Sequence, residues 1–116
     1  MNVTRFAKAP PYFPEAHEGM KCVRLQGHEA GPAEALWLGV SEMAPGGHTE
    51  LAASGVEKHY VVLEGEVTVI AEAPGGRREE VVLSRYDSCR IAPREARQLV
   101  NRSGARALIL LAMPFA

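Results

Sequence analysis

Residues 45–70, PGGHTELAASGVEKHYVVLEGEVTVI, predict two β-strands joined by a turn. The runs KHYVVLEG and EVTVI are rich in the β-branched and aromatic residues that strands favour. Between them Gly65 supplies a residue that tolerates positive φ. Four side chains able to bind a metal lie just before this turn: His48, Glu50, Glu57 and His59. The stretch therefore points to a fold class and raises the question of a metal site.

The rest of the chain continues this strand-and-turn pattern. Six further apolar runs are separated by Gly, Pro, Asn and Ser: MKCVRLQG, EALWLGVSEM, REEVVL, SCRIAP, ARQLVN and ARALILLAMP. Turn signals lie at 44–48, 64–66, 73–78 and 101–105. No window sustains the apolar periodicity of a helix. We predict an all-β sandwich or barrel of about eight to ten strands, with short helices or none.

Composition excludes several classes of protein. The chain has 116 residues, which suits one globular domain spanning 1–116. Its 13 basic and 14 acidic residues are scattered, so nucleic acid is not an expected partner. No run approaches the roughly 18–20 apolar residues of a membrane span, and residues 1–19 lack the apolar core of a signal peptide. We expect a soluble, cytoplasmic protein that does not bind membranes.

The first 19 residues are predicted to form an extended arm. Pro10, Pro11 and Pro14 disfavour a helix there. Tyr12 and Phe13 are expected to dock on the barrel or on a second subunit. Two histidines in polar surroundings, His17 and His28, are predicted to be solvated.

Residues 40–111 resemble the two conserved blocks of the small single-domain cupins. The resemblance rests on PGG followed by YVVLEGEVTV, and then on YDSCRIAPREARQLVNRSG. It implies a double-stranded β-helix, or jelly-roll, barrel that commonly forms homodimers. In the family, three histidines and one glutamate from these blocks hold a metal inside the barrel.

The resemblance fails at the metal ligands. Aligning the first block on its glycines places Ala52 and Ser54 at two histidine positions and Lys58 at the glutamate position. The conserved positions of the second block fall on Tyr86, Ala92, Arg94, Arg97 and Asn101. The third histidine has thus become Arg97, whereas the asparagine is retained. The fold is still implied, because apolar strands and turn residues carry the fold and the ligands carry the site.

One hypothesis is that these substitutions replace the metal site with a site for an anion. Lys58 and Arg97 would then project into the barrel, with Tyr60 beside Lys58. A guanidinium fork and an ammonium group suit a small carboxylate ligand. A lysine whose pKa falls on burial is also a candidate base or Schiff-base nucleophile. An internal ion pair with Glu50 or Glu57 is the competing interpretation.

A second hypothesis keeps a metal but moves it. A one-residue bulge would bring Glu57 to the glutamate position, with His48, Glu50 and His59 as the remaining ligands. Such a nitrogen and oxygen set suits a divalent Zn, Mn, Fe or Ni ion and a metal-dependent enzyme. In a regular strand, however, Glu57 and His59 share the face opposite to Lys58 and Tyr60.

A third hypothesis is a non-catalytic regulatory or interaction module. It would be favoured if side chains such as Trp37 and Met43 filled the barrel. The sequence does not decide between an enzyme and a binding protein, and it names no substrate or reaction.

Overall fold

The computed structural model describes residues 1–115, and the protein is built from ten antiparallel strands. The strands are β1 (Pro11–Tyr12), β2 (His17–Gln26), β3 (Trp37–Thr49), β4 (Ala52–Ala53), β5 (Lys58–Glu64), β6 (Val67–Glu72), β7 (Arg78–Leu83), β8 (Ser88–Ile91), β9 (Ala96–Val100) and β10 (Ala107–Met113). Two 3₁₀ turns, Phe6–Lys8 and His28–Ala30, are the helical elements of the described residues. The all-β prediction is confirmed, and each of the eight predicted runs overlaps one strand.

The strand order closes the sheet into a nearly complete barrel. The order is β7-β6-β9-β3-β10-β5-β8, with β2 paired to β3, β1 to β2 and β4 to β9. Strands β5 and β9, which carry the two sequence motifs, are not neighbours in this order. Side chains that point inward from these two strands therefore meet across the barrel interior.

The core lies where alternating side chains of the strands face inward. It is formed by Met43, Tyr60, Val62, Val67, Val69, Leu83, Ile91, Leu99, Ala107 and Ile109. Met43 has no exposed surface, and Trp37 is 7% exposed at the start of β3. Burial of these apolar side chains provides the main stabilisation of the fold.

The predicted turn at residues 44–48 was wrong, because β3 continues through it to Thr49. Gly46 adopts a φ of 82° and bends the strand without reversing it. The backbone N–H of Gly46 donates to the carbonyl of Asn101 at 2.8 Å, and the N–H of Asn101 donates to the carbonyl of Gly47 at 2.9 Å. These bonds attach the bent part of β3 at Gly46 and Gly47, which we call the bulge, to the barrel.

The side chain of Asn101 holds this bulge from inside. It has no exposed surface. Its amide nitrogen donates to the carbonyls of Met43, Ala44 and Ala105 at 3.1, 3.3 and 2.8 Å. Its amide oxygen accepts from the backbone N–H of Ser103 at 3.0 Å. The retained asparagine thus joins β3 to the loop that follows β9.

The N-terminal arm packs along β2. In β1, Tyr12 lies opposite Cys22 of β2. The Tyr12 ring meets the Trp37 ring edge-on at 5.7 Å, and the Arg24 guanidinium lies 3.6 Å from the centre of the Tyr12 ring. The arm was predicted to extend to residue 19, but strand β2 begins at His17 because it pairs there with Thr49. No helix within residues 1–115 has the length and apolar character needed to cross a membrane.

Candidate functional site

Arg97 lies at the centre of a polar group inside the barrel. It is 8% exposed. Its Nε donates to the hydroxyl of Tyr60 at 2.8 Å, across the interior from β9 to β5. Its Nη1 makes two longer bonds, each of 3.4 Å, to the hydroxyl of Thr49 and the carbonyl of Glu50. The second terminal nitrogen, Nη2, makes no hydrogen bond within residues 1–115.

The charge of Arg97 has no acidic partner in the part of the chain that the structure describes. The salt bridges of residues 1–115 use other cations, such as Arg106 with Glu42 and Arg90 with Glu57. The interactions of Arg97 are with neutral oxygens. Removing a cation from water without a counter-charge is unfavourable.

Lys58 is a second cation in the same region. It begins β5 opposite Ile91 of β8 and shares the inward face with Tyr60. Burial and, to a smaller extent, the charge of Arg97 together lower the pKa of Lys58 to about 8. No hydrogen bond or salt bridge to Lys58 Nζ occurs within residues 1–115. No buried side-chain nitrogen or oxygen there lacks a partner, so Lys58 Nζ and Arg97 Nη2 reach accessible space.

His17 joins this region, although the sequence predicted it to be solvated. That prediction was wrong, because His17 begins β2, lies opposite Thr49 and is half-buried. Burial lowers its pKa, as do the charges of Arg97 and Lys58. Its Nδ1 lies 2.6 Å from the carbonyl of Glu15 and donates to it, so Nε2 carries the lone pair of the neutral ring. No local sequence signal identifies His17, since only the long-range pairing of β2 with β3 brings it here.

We call His17, Lys58, Tyr60 and Arg97 the Arg97 cluster. Burial raises the pKa of Tyr60, so its hydroxyl stays protonated at neutral pH. Cys89, opposite Tyr60 in β8, is also affected: burial raises the pKa of its thiol to about 11. The cluster therefore combines positive charge with neutral donors, which is the chemistry of an anion site.

The other candidate ligands occupy different parts of the barrel surface. They are His48, Glu50, Glu57 and His59. Glu57 accepts from Arg90 at 2.5 Å and lies 3.7 Å from His59, and both side chains are 40% or more exposed. His48 lies 3.9 Å from Glu18 instead. Within residues 1–115 no three His, Cys, Asp or Glu side chains are grouped closely enough to hold a metal ion.

A cavity of about 450 Å³ lies between the arm and β2. Tyr12 and Phe13 line it from the arm, and Met20 and Cys22 line it from β2. His17 belongs both to this cavity and to the Arg97 cluster. The residues that line this cavity do not include Lys58, Tyr60 or Arg97.

The fold is similar to those of several solved structures. The polyketide cyclase RemF from Streptomyces resistomycificus has a TM-score of 0.80 and 22% sequence identity, covering 98% of this chain and 79% of that one. An RmlC-like cupin from Shewanella frigidimarina has a TM-score of 0.76 and 17% identity, covering 100% of this chain and 92% of that one. At these identities the similarity establishes the fold alone.

A protein from Mycobacterium tuberculosis is similar in sequence. It is named beta-D-galactosidase Rv1717, and it is 40% identical over 111 residues that cover 96% of this chain and 91% of that protein. The chain is a small cupin of that protein's family. No family model matches the sequence. Because cupin relatives carry names as different as cyclase and galactosidase, the function of this cupin has to be argued from its own residues.

Proposed function

We propose that this cupin binds a small organic anion, a carboxylate, at Lys58, Tyr60 and Arg97. The proposal rests mainly on the burial of an unpaired charge. Arg97 is 8% exposed, and it forms no salt bridge to a carboxylate of residues 1–115. A bound carboxylate supplies the missing counter-charge. The interaction is strongest where both partners are shielded from water.

The open donors of the cluster suit such a ligand. Arg97 Nε is held by the Tyr60 hydroxyl at 2.8 Å, which fixes the plane of the guanidinium. Nη2 then reaches accessible space and makes no hydrogen bond within residues 1–115. Lys58 Nζ adds a mobile ammonium donor on the same inward face. Two cationic donors on separate strands recognise the two oxygens of a carboxylate better than either donor alone.

The backbone supports the motif alignment that assigns Lys58 and Arg97 to ligand positions. The four positions that the cupin blocks reserve for glycine are Gly46, Gly65, Tyr86 and Arg94. Their φ values are 82°, 76°, 70° and 69°, all in the left-handed region. Tyr86 and Arg94 adopt this conformation despite their side chains. The backbone conformation of the motif is therefore kept where the motif residues differ, which supports the alignment of Lys58 and Arg97 with the metal-ligand positions.

Thermal unfolding with named acids tests the proposal. Citrate, malate, oxalate and phosphate are added at constant ionic strength, with chloride as the reference. We expect at least one carboxylate to raise Tm in a saturable manner, because a ligand that binds only the folded state stabilises it. Arg97→Met should abolish this rise. The matched control Arg77→Met, at an arginine whose side chain is 82% exposed, should retain it. A rise that survives Arg97→Met would place the site elsewhere.

A second candidate is the recognition of a β-galactoside, favoured by the 40% identity to the protein named beta-D-galactosidase. Most glycoside hydrolases use two carboxylates. Two glutamates lie near Arg97 along the backbone. The main-chain carbonyl of Glu50 accepts from Arg97 Nη1 at 3.4 Å, and Glu95, two residues before Arg97, accepts from the backbone N–H of Ala92 at 2.9 Å through its carboxylate. Hydrolysis of p-nitrophenyl β-D-galactoside by the wild type, and its loss in Glu50→Gln or Glu95→Gln, would establish this function. Equal rates in the wild type and both variants would exclude these two residues.

A further inference from the structure

The surroundings of the Lys58 amine favour its action as a nucleophile. It is half-buried, faces the same side as Tyr60 and has no carboxylate partner within residues 1–115. Burial and the neighbouring Arg97 lower its pKa to about 8, so roughly a tenth of the amines are neutral at pH 7. An exposed lysine with a pKa of about 10.4 has far less neutral amine. Lys58 Nζ also reaches accessible space.

We infer that Lys58 forms an imine with the carbonyl carbon of a small 2-oxo acid whose carboxylate binds Arg97. This inference rests on the proposed carboxylate site and specifies its ligand class. A 2-oxo acid carries a carbonyl next to its carboxylate, so the anion site and the amine engage adjacent carbons of one molecule. Holding the carbonyl beside the amine makes the addition effectively intramolecular.

The chemistry needs no oxidant, reductant or metal. The lone pair of Lys58 Nζ attacks the carbonyl carbon, a C–N bond forms, and the carbonyl oxygen gains a proton while the nitrogen loses one. The carbinolamine then passes its remaining nitrogen proton to the hydroxyl group, which leaves as water, and the C=N bond forms as the C–O bond breaks. The sum is amine plus ketone giving imine plus water.

His17 is suited to carry the proton between nitrogen and oxygen. Its Nδ1 donates to the Glu15 carbonyl at 2.6 Å, which leaves Nε2 able to accept a proton. Burial and the charges of Arg97 and Lys58 lower its pKa, so the ring is neutral at pH 7. Tyr60 serves as a positioning residue, because its hydroxyl orients Arg97 at 2.8 Å.

Reductive trapping tests the inference on the full chain. Protein is incubated with pyruvate and sodium cyanoborohydride, which reduces the imine to a stable amine, and the labelled residue is identified by peptide mass spectrometry. The chain has three lysines, Lys8, Lys21 and Lys58, so Lys8 and Lys21 act as internal controls. We expect Lys58 to be labelled at least tenfold faster than either. Labelling of Lys58 should fall at least tenfold in Arg97→Met. Acetone, which lacks the carboxylate, should show a smaller preference for Lys58 than pyruvate does, because only its lowered pKa then favours Lys58.

The outcomes separate this inference from the proposed function. Equal labelling of the three lysines would overturn the imine, and so would labelling of Lys58 that is unchanged in Arg97→Met. If pyruvate raises Tm in the wild type and not in Arg97→Met, yet Lys58 is not labelled, the imine is wrong and the carboxylate site stands. If pyruvate and the acids named above all leave Tm unchanged and Lys58 is not labelled, both fail. A Lys58→Met variant checks that the trapped mass belongs to that residue.

Discussion

The hydrogen bond between Tyr60 and Arg97 gives a quantitative prediction. Tyr60 is 2% exposed and Arg97 is 8% exposed, so their 2.8 Å bond lies in the barrel interior. Tyr60→Phe leaves the Arg97 Nε–H without an acceptor. A hydrogen bond to a charged group contributes about 1.5–3 kcal/mol, so we expect Tyr60→Phe to lower the free energy of unfolding by about 2 kcal/mol. In a domain of this size that corresponds to a fall in Tm of about 8 °C.

The double variant Tyr60→Phe/Arg97→Met determines whether loss of this hydrogen bond causes the lower free energy of unfolding. Arg97→Met should change the free energy of unfolding little, because removal of a buried charge offsets the loss of the partner of the Tyr60 hydroxyl. In the Tyr60→Phe background, Arg97→Met should therefore restore about 2 kcal/mol, since no unpaired donor remains. Urea unfolding of the wild type, both single variants and the double variant measures this coupling. Purely additive effects would refute the reasoning. Val67→Ala, at a core residue of β6, combined with Arg97→Met serves as the additive control.

Four further predictions follow from the structure and the cupin resemblance. Lys58 has a folded-state pKa of about 8 against an ordinary value of 10.5, so the unfolded chain binds more protons between these pH values. The free energy of unfolding of the wild type should accordingly rise relative to that of Lys58→Met between pH 8 and pH 10, and urea unfolding showing the opposite trend would contradict this assignment. Asn101→Ala should lower the free energy of unfolding by about 3 kcal/mol, because it removes the donor to three carbonyls; a change below about 1 kcal/mol would show that the bulge does not depend on it. Elemental analysis of protein without a histidine tag, equilibrated with Zn, Mn, Fe or Ni, should give the same metal content for wild type, Glu57→Ala and His59→Ala; a lower content in either variant would instead support the relocated metal site. Light scattering should give a mass twice the 12.6 kDa of one chain if the homodimer proposed from the cupin resemblance forms, and the single-chain mass would exclude it at the concentration used.

The strands were predictable because their signals are local. Apolar and β-branched runs between turn residues located eight of the ten strands, and the two short strands β1 and β4 lie outside those runs. The two-residue alternation of β5 predicted that Lys58 and Tyr60 share a face. The bulge in β3 was not predictable, because Gly46 tolerates positive φ equally well in a turn and inside a strand. Whether the chain reverses there depends on β2, which continues to His17 beside Thr49.

The composition of the Arg97 cluster depends on distant parts of the chain. Arg97 and Tyr60 are 37 residues apart in sequence and meet only because β5 and β9 lie on opposite sides of the barrel. The motif alignment predicted Arg97 as a pocket residue, and the alternation of β5 predicted Tyr60, but neither gave a reason to include His17. The four alternative metal ligands are close in sequence. In the structure, Glu57 contacts Arg90 whereas His48 lies near Glu18. Closeness in sequence did not produce one group because His48 lies in β3 and His59 lies in β5, and β10 separates these two strands in the sheet.

The most direct test of the central claim is the ¹⁵N resonance of Arg97 Nε. This group is buried and bonded to Tyr60 at 2.8 Å, so its proton exchanges slowly enough with water to be observed. Assignment by comparison with Arg97→Met is followed by titration with pyruvate, malate, oxalate and citrate at constant ionic strength. The account predicts that at least one of these acids shifts the Arg97 resonance to saturation at one equivalent per chain, with the exposed arginines unchanged. An Arg97 resonance that stays fixed with all four acids would contradict it.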